Sequence, residues 1–270
     1  AVLYPSVQAA VLDDSWDWIL THNINDLLDV REISLPKVYL VHGTLSGRMI
    51  QDRSTFDKSD YIKKLAILLE ASGARIVYIS ELKRRDWGIP GSVIRPAVEV
   101  SQYGGYRGEI RGVLQVCNNL RARGAMMGWE TFQAVCRDLP NLVIGDNKDL
   151  ASSRKAKDWD DLKEHLRSYR LYIYTPIYPY EDGYNLALLE AMATGMPVAT
   201  LKHVTSPIRD GVEGVVGDTA EQLRMRIAQL LDDPQEARRL GIGAKARVEQ
   251  VFSLAEFKNA WQDLADNILQ

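Results

Sequence analysis

The sequence contains few of the residues that characterise several protein classes. Its 270 residues include only two cysteines, Cys117 and Cys136, and both lie in apolar segments. This excludes a disulfide-built fold and predicts two buried thiols in a reducing compartment. No apolar run reaches the roughly 18 to 20 residues of a membrane-spanning helix, and the first residues lack a basic start followed by an apolar block. We therefore expect a cytoplasmic protein.

An excess of positive charge is missing as well. The formal net charge is -3, which is unlike a chain that neutralises a polyphosphate backbone, so we expect no nucleic-acid partner. Segments 62–75 and 81–87 mix basic and apolar residues and leave peripheral contact with a membrane open, although such runs are more often solvated helix faces. Hydrophobic residues make up 46% of the chain, which is ordinary for one large or two small globular domains.

Spacings typical of metal ligands are absent. None of the four histidines stands at a zinc-site spacing from another: His22, His42, His165 and His203. Asp158-Trp-Asp160 spells the D-x-D pattern of some metal-dependent sites, but it opens an amphipathic helical pattern instead of ending a strand. We therefore expect no metal and no other cofactor.

Short apolar runs alternate with longer helical patterns along the whole chain. The predicted strands cover residues 16–21, 37–42, 75–80, 112–117, 141–145, 170–176 and 197–200. The predicted helices between and after them cover 57–71, 160–167, 186–194, 220–231, 234–252 and 254–269. Short apolar strands spaced by helices indicate parallel sheets buried on both faces, so the predicted fold class is α/β.

A boundary is predicted at residues 96–109, where proline, paired glycines and polar residues separate two α/β series. The resulting domains are a reduced Rossmann-like domain over 1–98 and a ligand-binding domain over 99–253. The segment 254–270 is predicted as a final amphipathic helix. In doubly wound domains of this kind, ligands bind at the carboxyl ends of the strands.

The most informative segment is residues 177–200. Gly183 and Asn185 predict a turn after the acidic pair Glu181 and Asp182, and a helix then runs from Leu186 to a stop at Gly195. The amides and the dipole at the start of such a helix favour a phosphate. Glu190, on the same helix, carries a carboxylate that can accept hydrogen bonds from ribose hydroxyls. The alternative is a structural turn and helix in which these acids are ordinary paired charges.

The string DGYNLALLEAMATGMPV closely resembles the EGFGLVLLEAMAAGKPV signature of retaining family 4 glycosyltransferases, which have two facing Rossmann-like domains, the GT-B fold. The resemblance implies that Asp182 lies close to the transferred sugar and that Glu190 holds the ribose. It also implies that the backbone between them, Gly183, Tyr184, Asn185 and Leu186, binds the phosphates. Asp182 replaces the first glutamate of the signature, so Glu181 is the alternative for its role.

Residues 206–253 also resemble the family's usual sequel, whose tail packs back on the first domain, and weaker resemblances extend upstream. KVYLVHGTLSG (37–47) is similar to the strand and loop that hold the family's active-site histidine, here His42, although a lone histidine after a strand is often structural. VCNNLRARG (116–124) is similar to the family's cationic phosphate turn, with Asn118 at its arginine position and Arg123 at its lysine position. Lys202 is a further candidate for the diphosphate.

The resemblance implies transfer of a sugar from a nucleoside-diphosphate sugar with retention of configuration. The acceptor is open among saccharides, lipid-linked glycans and small molecules, and so is oligomerisation. The first domain is shorter than is usual in the family. Two other functions therefore stay open: a degenerate relative that only binds nucleotide sugars, and a GT-B-like nucleotide-sugar epimerase.

Overall fold

The computed structural model describes residues 3–4, 6–12 and 16–269, and its contacts divide the chain into two compact units. The first unit comprises the described parts of residues 1–49, 54–95 and 257–270, and the second comprises residues 50–53 and 96–256. Each unit is built on one parallel sheet. None of the helices in the described part of the chain is long and apolar enough to cross a membrane.

The first unit has a four-stranded sheet in the order β1-β2-β3-β4. The strands are β1 (Ile19–Thr21), β2 (Lys37–Val41), β3 (Ala74–Tyr78) and β4 (Ser92–Val93). The helices are α1 (Val7–Leu12), α2 (Ile24–Asp29), α3 (Leu45–Gln51), α4 (Lys58–Ser72) and α5 (Glu81–Trp87). Alternate strand residues such as Tyr39 and Val41 face one apolar cluster, while Val38 and Leu40 face another that includes Leu264. Period-two alternation therefore gives this sheet two buried faces.

The second unit has a six-stranded sheet in the order β10-β9-β8-β5-β6-β7. Its strands are β5 (Ile110–Val116), β6 (Asn141–Ile144), β7 (Ser153–Arg154), β8 (Tyr169–Tyr174), β9 (Val198–Leu201) and β10 (Gly214–Gly217). Its helices are α6 (Gly124–Met127), α7 (Trp129–Cys136), α8 (Trp159–Ser168), α9 (Leu186–Thr194), α10 (Ala220–Asp232) and α11 (Pro234–Val251). A 3-10 turn covers Val100–Gln102, and a last helix, α12, covers Leu254–Leu269.

The direction in which strands are added to this second sheet reverses between β5 and β8, which lie side by side. Such a reversal leaves a crevice at the carboxyl ends of the two strands, because the connections on either side run to opposite faces of the sheet. The loop after β5 begins at Cys117, and the loop after β8 leads to α9. Most of the predicted donor-binding residues follow one of these two strands.

The α/β class predicted from the sequence is confirmed, and all seven predicted strands are present. The short strands β4 and β7 were not predicted from the apolar runs, because two-residue strands leave no periodicity to detect. Both cysteines are buried free thiols. Asp158 is the N-cap of α8 and accepts a hydrogen bond from the Asp161 amide, which confirms its helical interpretation.

Candidate functional site

A pocket of about 560 Å³ opens at the carboxyl ends of β5 and β6 in the second unit, beside the N-terminus of α9. The ends of β5 and β6, the residues after β7 and the N-terminus of α9 form its wall. Three of the predicted donor-binding residues line it: Asn118, Arg123 and Asn185. The volume lies within the usual range of small-molecule sites. The structure thus brings together residues from distant parts of the sequence.

Arg123 supplies an uncommitted positive charge to this pocket. It is half-buried, directly precedes α6, and forms no ion pair with any residue that the structure describes. Burial raises the pKa of the Cys117 thiol, while the nearby Arg123 charge lowers it. Arg123 is therefore close to the carboxyl end of β5. A guanidinium in this position can bind a phosphate with two parallel hydrogen bonds.

Asn118 takes part in a set of hydrogen bonds that joins the loops after β5 and β6. Its Oδ1 accepts a hydrogen bond from the Asp146 amide at 2.8 Å. Asn147 joins the same two loops, because its Oδ1 accepts from the Leu120 amide at 2.7 Å and its Nδ2 donates to the Cys117 carbonyl at 2.8 Å. The carbonyl of the Asn118 side chain is therefore committed to the protein, and its amide is the group that can donate to a ligand.

The N-terminus of α9 borders the same pocket. Asn185 is its N-cap, and its side chain accepts a hydrogen bond from the Leu188 amide at 2.8 Å. The partial positive charge at this helix end attracts an anion. The Gly183 amide already donates to Thr205 Oγ1 at 2.7 Å. The Gly183 amide, which was expected to bind a phosphate, is therefore hydrogen-bonded within the protein.

Glycine is required at position 183 by the approach of the loop after β9. A Cβ atom there would lie 2.5 Å from the Ser206 nitrogen and 2.8 Å from His203 Nδ1. His203 Nδ1 also lies 3.2 Å from both the Thr205 amide and Thr205 Oγ1. The loop after β9 thus packs directly on the turn that carries the acidic pair.

The two acidic residues of this turn have different environments. Asp182 is only 1% exposed, whereas Glu181 is half-buried and its Oε1 accepts a hydrogen bond from the Asp182 amide at 2.9 Å. His203 lies beside both acids. Burial lowers the pKa of His203, while the Glu181 backbone and the two carboxylates raise it. The placement of Asp182 next to the transferred sugar, with Glu181 as the alternative, stays a prediction.

Glu190 lies on the side of α9 that faces the segment around Tyr103. Burial raises the pKa of Glu190 to about 7, and a hydrogen bond from the Tyr103 hydroxyl partly offsets this by lowering it. The pKa of Tyr103 is itself raised, first by burial and then by Glu190. Near neutral pH the carboxyl group of Glu190 is therefore divided between its protonated and ionised forms.

The remaining predicted donor-binding residues surround α9 and the end of β9. Tyr184 packs edge-on against Phe252, with ring centroids 5.1 Å apart. Leu186, the first residue of α9, is 53% exposed. Lys202 is exposed directly after β9, and its amide donates to the Gly217 carbonyl at 3.0 Å. These three residues and Glu190 do not line the 560 Å³ pocket.

His42 belongs to the first unit, where it directly follows β2. Its Nε2 lies 2.8 Å from His22 Nδ1, and the planes of the two rings are inclined by 20°. Burial, His22 and the Lys83 charge all lower the pKa of His42. The imidazole of His42 is therefore neutral near pH 7.

Residues 153–247, which contain the acidic pair and α9, match the sequence family of glycosyl transferases group 1. Sucrose-phosphate synthase from Thermosynechococcus elongatus is similar in structure, with a TM-score of 0.73 and 15% identity over 96% of this chain and 75% of that chain. Anabaena HepE in complex with UDP-glucose gives a TM-score of 0.68 and 16% identity over 93% of this chain and 79% of that chain. The chain therefore has the GT-B fold of these structures, and its second unit contains a segment that matches glycosyl transferases group 1.

A sequence relative matches part of this chain. The MMP alpha-(1->4)-mannosyltransferase of Mycolicibacterium hassiacum is 33% identical over 89 residues, which is 31% of this chain and 20% of the relative. The matched region thus spans about a fifth of the length of that relative.

Several residues of the candidate site were not predicted from the sequence. Lys155 and Asp146 line the pocket and form an ion pair of 2.8 Å between Nζ and Oδ2. Thr205 binds the Gly183 amide, and Tyr103 binds Glu190. Asp146 directly follows a predicted strand, which is its signal in the sequence, whereas the contact between Tyr103 and Glu190 leaves no such signal. Within the described residues, no group of three or more His, Cys, Asp or Glu side chains could hold a metal ion.

Proposed function

We propose that this chain transfers a sugar from a nucleoside-diphosphate sugar to an acceptor, with retention of anomeric configuration and without a metal. The observation that carries the proposal is the pocket at the carboxyl ends of β5 and β6, which is lined by Arg123 and by the N-terminus of α9. The guanidinium of Arg123 has no ion pair among the described residues, and two sources of positive potential in one pocket favour a diphosphate. The similarity to a protein crystallised with UDP-glucose supports a nucleotide sugar as the ligand.

In the proposed mechanism, the second unit binds the donor and stabilises its leaving group. Arg123 and the amides at the start of α9 bind the diphosphate, where negative charge grows as the glycosidic bond breaks. Glu190 accepts hydrogen bonds from the ribose, and Asp182 acts on the transferred sugar. Lys202, exposed at the end of β9, adds a second cation for the phosphates. His42 is the proposed acceptor-side residue of the first unit.

A thermal-shift screen of UDP, GDP, ADP and dTDP sugars tests donor binding. A ligand at about 100 times its dissociation constant stabilises a folded protein by roughly 2.7 kcal/mol. We expect one base to give a clear shift in the parent protein and a much smaller one in Arg123→Ala. Arg121→Ala is the matched control, because Arg121 is exposed on the same turn and does not line the pocket. No shift with any sugar nucleotide would contradict the proposal.

A further inference from the structure

His22 and His42 form a close pair at the carboxyl edge of the first unit's sheet. His22 directly follows β1, and His42 directly follows the neighbouring strand β2. Parallel pairing aligns Thr21 with Tyr39 and so brings the two strand ends together. The 2.8 Å contact between His22 Nδ1 and His42 Nε2 is well within hydrogen-bond distance.

This contact restricts the protonation of both rings. Two imidazole nitrogens at this distance share one proton, so one nitrogen donates and the other accepts. If both rings were doubly protonated, two N–H groups would face each other and the contact would break. While it persists, Nε2 of His42 is occupied by His22, and Nδ1 is the ring nitrogen that His42 can offer to a substrate.

Two side chains of α5, Asp86 and Trp87, hold the backbone that follows His42. Trp87 Nε1 donates to the Gly43 carbonyl at 2.9 Å. Asp86 accepts from the Ser46 amide at 2.9 Å and pairs with Lys58 at 2.6 Å. Helices α4 and α5 therefore fix the loop, but these bonds do not set the rotation of the His42 ring. His22 contacts this ring through the 2.8 Å hydrogen bond, with the two ring planes inclined by 20°.

We infer that His22 is a positioning residue that fixes the ring orientation and the tautomer of His42. The benefit to catalysis rests on the function proposed above, because it requires His42 to act on the acceptor. A preset tautomer removes one source of disorder from the reacting group before substrate arrives. His22 itself needs no contact with either substrate.

Long-range ¹H–¹⁵N correlation spectra of the full chain with ¹⁵N-labelled histidine test the inference without any substrate. The four histidines are assigned by single substitutions. We expect the parent protein to show one dominant neutral tautomer at His42, and His22→Ala to convert it to a tautomer mixture. His22→Asn should preserve the parent pattern, because the asparagine amide falls near the position of Nδ1. His22→Gln places its amide near Nε2 and is the matched control that should behave like His22→Ala.

Unchanged His42 nitrogen shifts in both His22→Ala and His22→Gln would overturn the inference. All three substitutions are at an exposed position, so the amide spectrum should show a folded protein. Release of nucleoside diphosphate from UDP-glucose or another sugar nucleotide supplies a second readout. If His22 positions the His42 ring, kcat should fall about tenfold in His22→Ala with KM nearly unchanged, and His22→Asn should restore kcat. If the parent protein consumes no sugar nucleotide, the proposed function fails, while the spectra still decide the role of His22.

Discussion

Binding of the proposed sugar-nucleotide donor should weaken as the pH falls through neutrality, because of Glu190. The proposed ribose contact uses the ionised carboxylate, whereas burial raises the pKa of Glu190 to about 7 in the free protein. Binding therefore releases a proton from the protonated fraction. That fraction rises from about one eleventh at about pH 8 to about ten elevenths at about pH 6. The expected loss of affinity is about tenfold, or about 1.4 kcal/mol.

Isothermal titration of the tightest-binding sugar nucleotide over this pH range measures the effect. A sugar nucleotide is preferable to a free nucleoside diphosphate, because its diphosphate has no ionisation near neutrality. Glu190→Gln is the control: it should bind about 1.5 to 3 kcal/mol more weakly at high pH, because the charge-assisted hydrogen bonds are lost, and its affinity should not depend on pH. An equal pH slope in Glu190→Gln and the parent would refute the reasoning.

Protonation of Glu190 weakens donor binding, but it has the opposite effect on the stability of the free protein. A raised folded-state pKa means that Glu190 stabilises the fold fully below the ordinary glutamate pKa and loses this contribution as the pH rises through about 7. Low pH thus favours the free protein and disfavours the donor complex. A buried acid with this behaviour is typical of a functional site.

Three further predictions address the pocket, the acidic pair and the core. Arg123→Ala should weaken binding of the sugar diphosphate more than that of the bare nucleoside, whereas equal losses in calorimetry would place Arg123 away from the phosphates. Asp182→Asn should lower turnover strongly and leave donor affinity within a few-fold, while Glu181→Gln does little; a fully active Asp182→Asn sinks this assignment. Gln115 is 1% exposed, and neither side-chain amide atom has a partner in the described structure, so Gln115→Leu should raise the free energy of unfolding by about 1 to 3 kcal/mol in urea titrations. No change or a loss would show that the amide is satisfied.

The sequence predicted elements whose patterns are local. Strands β2 and β8 are apolar runs bounded by helical segments, and the helix Leu186–Thr194 has the predicted bounds, because Asn185 and Gly195 cap it through short-range contacts. The donor-binding residues after β5 and β8 could be placed for the same reason. Parallel strands carry their loops to one edge, so residues after adjacent strands meet.

Contacts that depend on register and side-chain direction could not be predicted. His22 and His42 are 20 positions apart, and Gly183 and Thr205 are 22 apart. Their contacts exist because neighbouring strands align at specific residues, which apolar periodicity does not determine. The use of the Gly183 amide within the protein is the clearest example, since the turn alone predicts that it faces a ligand.

The central claim is that this chain consumes a nucleotide sugar at the pocket formed by the ends of β5 and β6 and the N-terminus of α9. Proton NMR of the anomeric region, recorded while the protein is incubated with the sugar nucleotide that binds best, tests it most directly. The account predicts loss of donor matched by release of nucleoside diphosphate, with the freed or transferred sugar first appearing in the donor's own anomeric configuration and with no consumption in Arg123→Ala. Saturating binding with no loss of donor would contradict it and indicate a binding module, and exchange of the donor with its epimer would contradict it and indicate an isomerase.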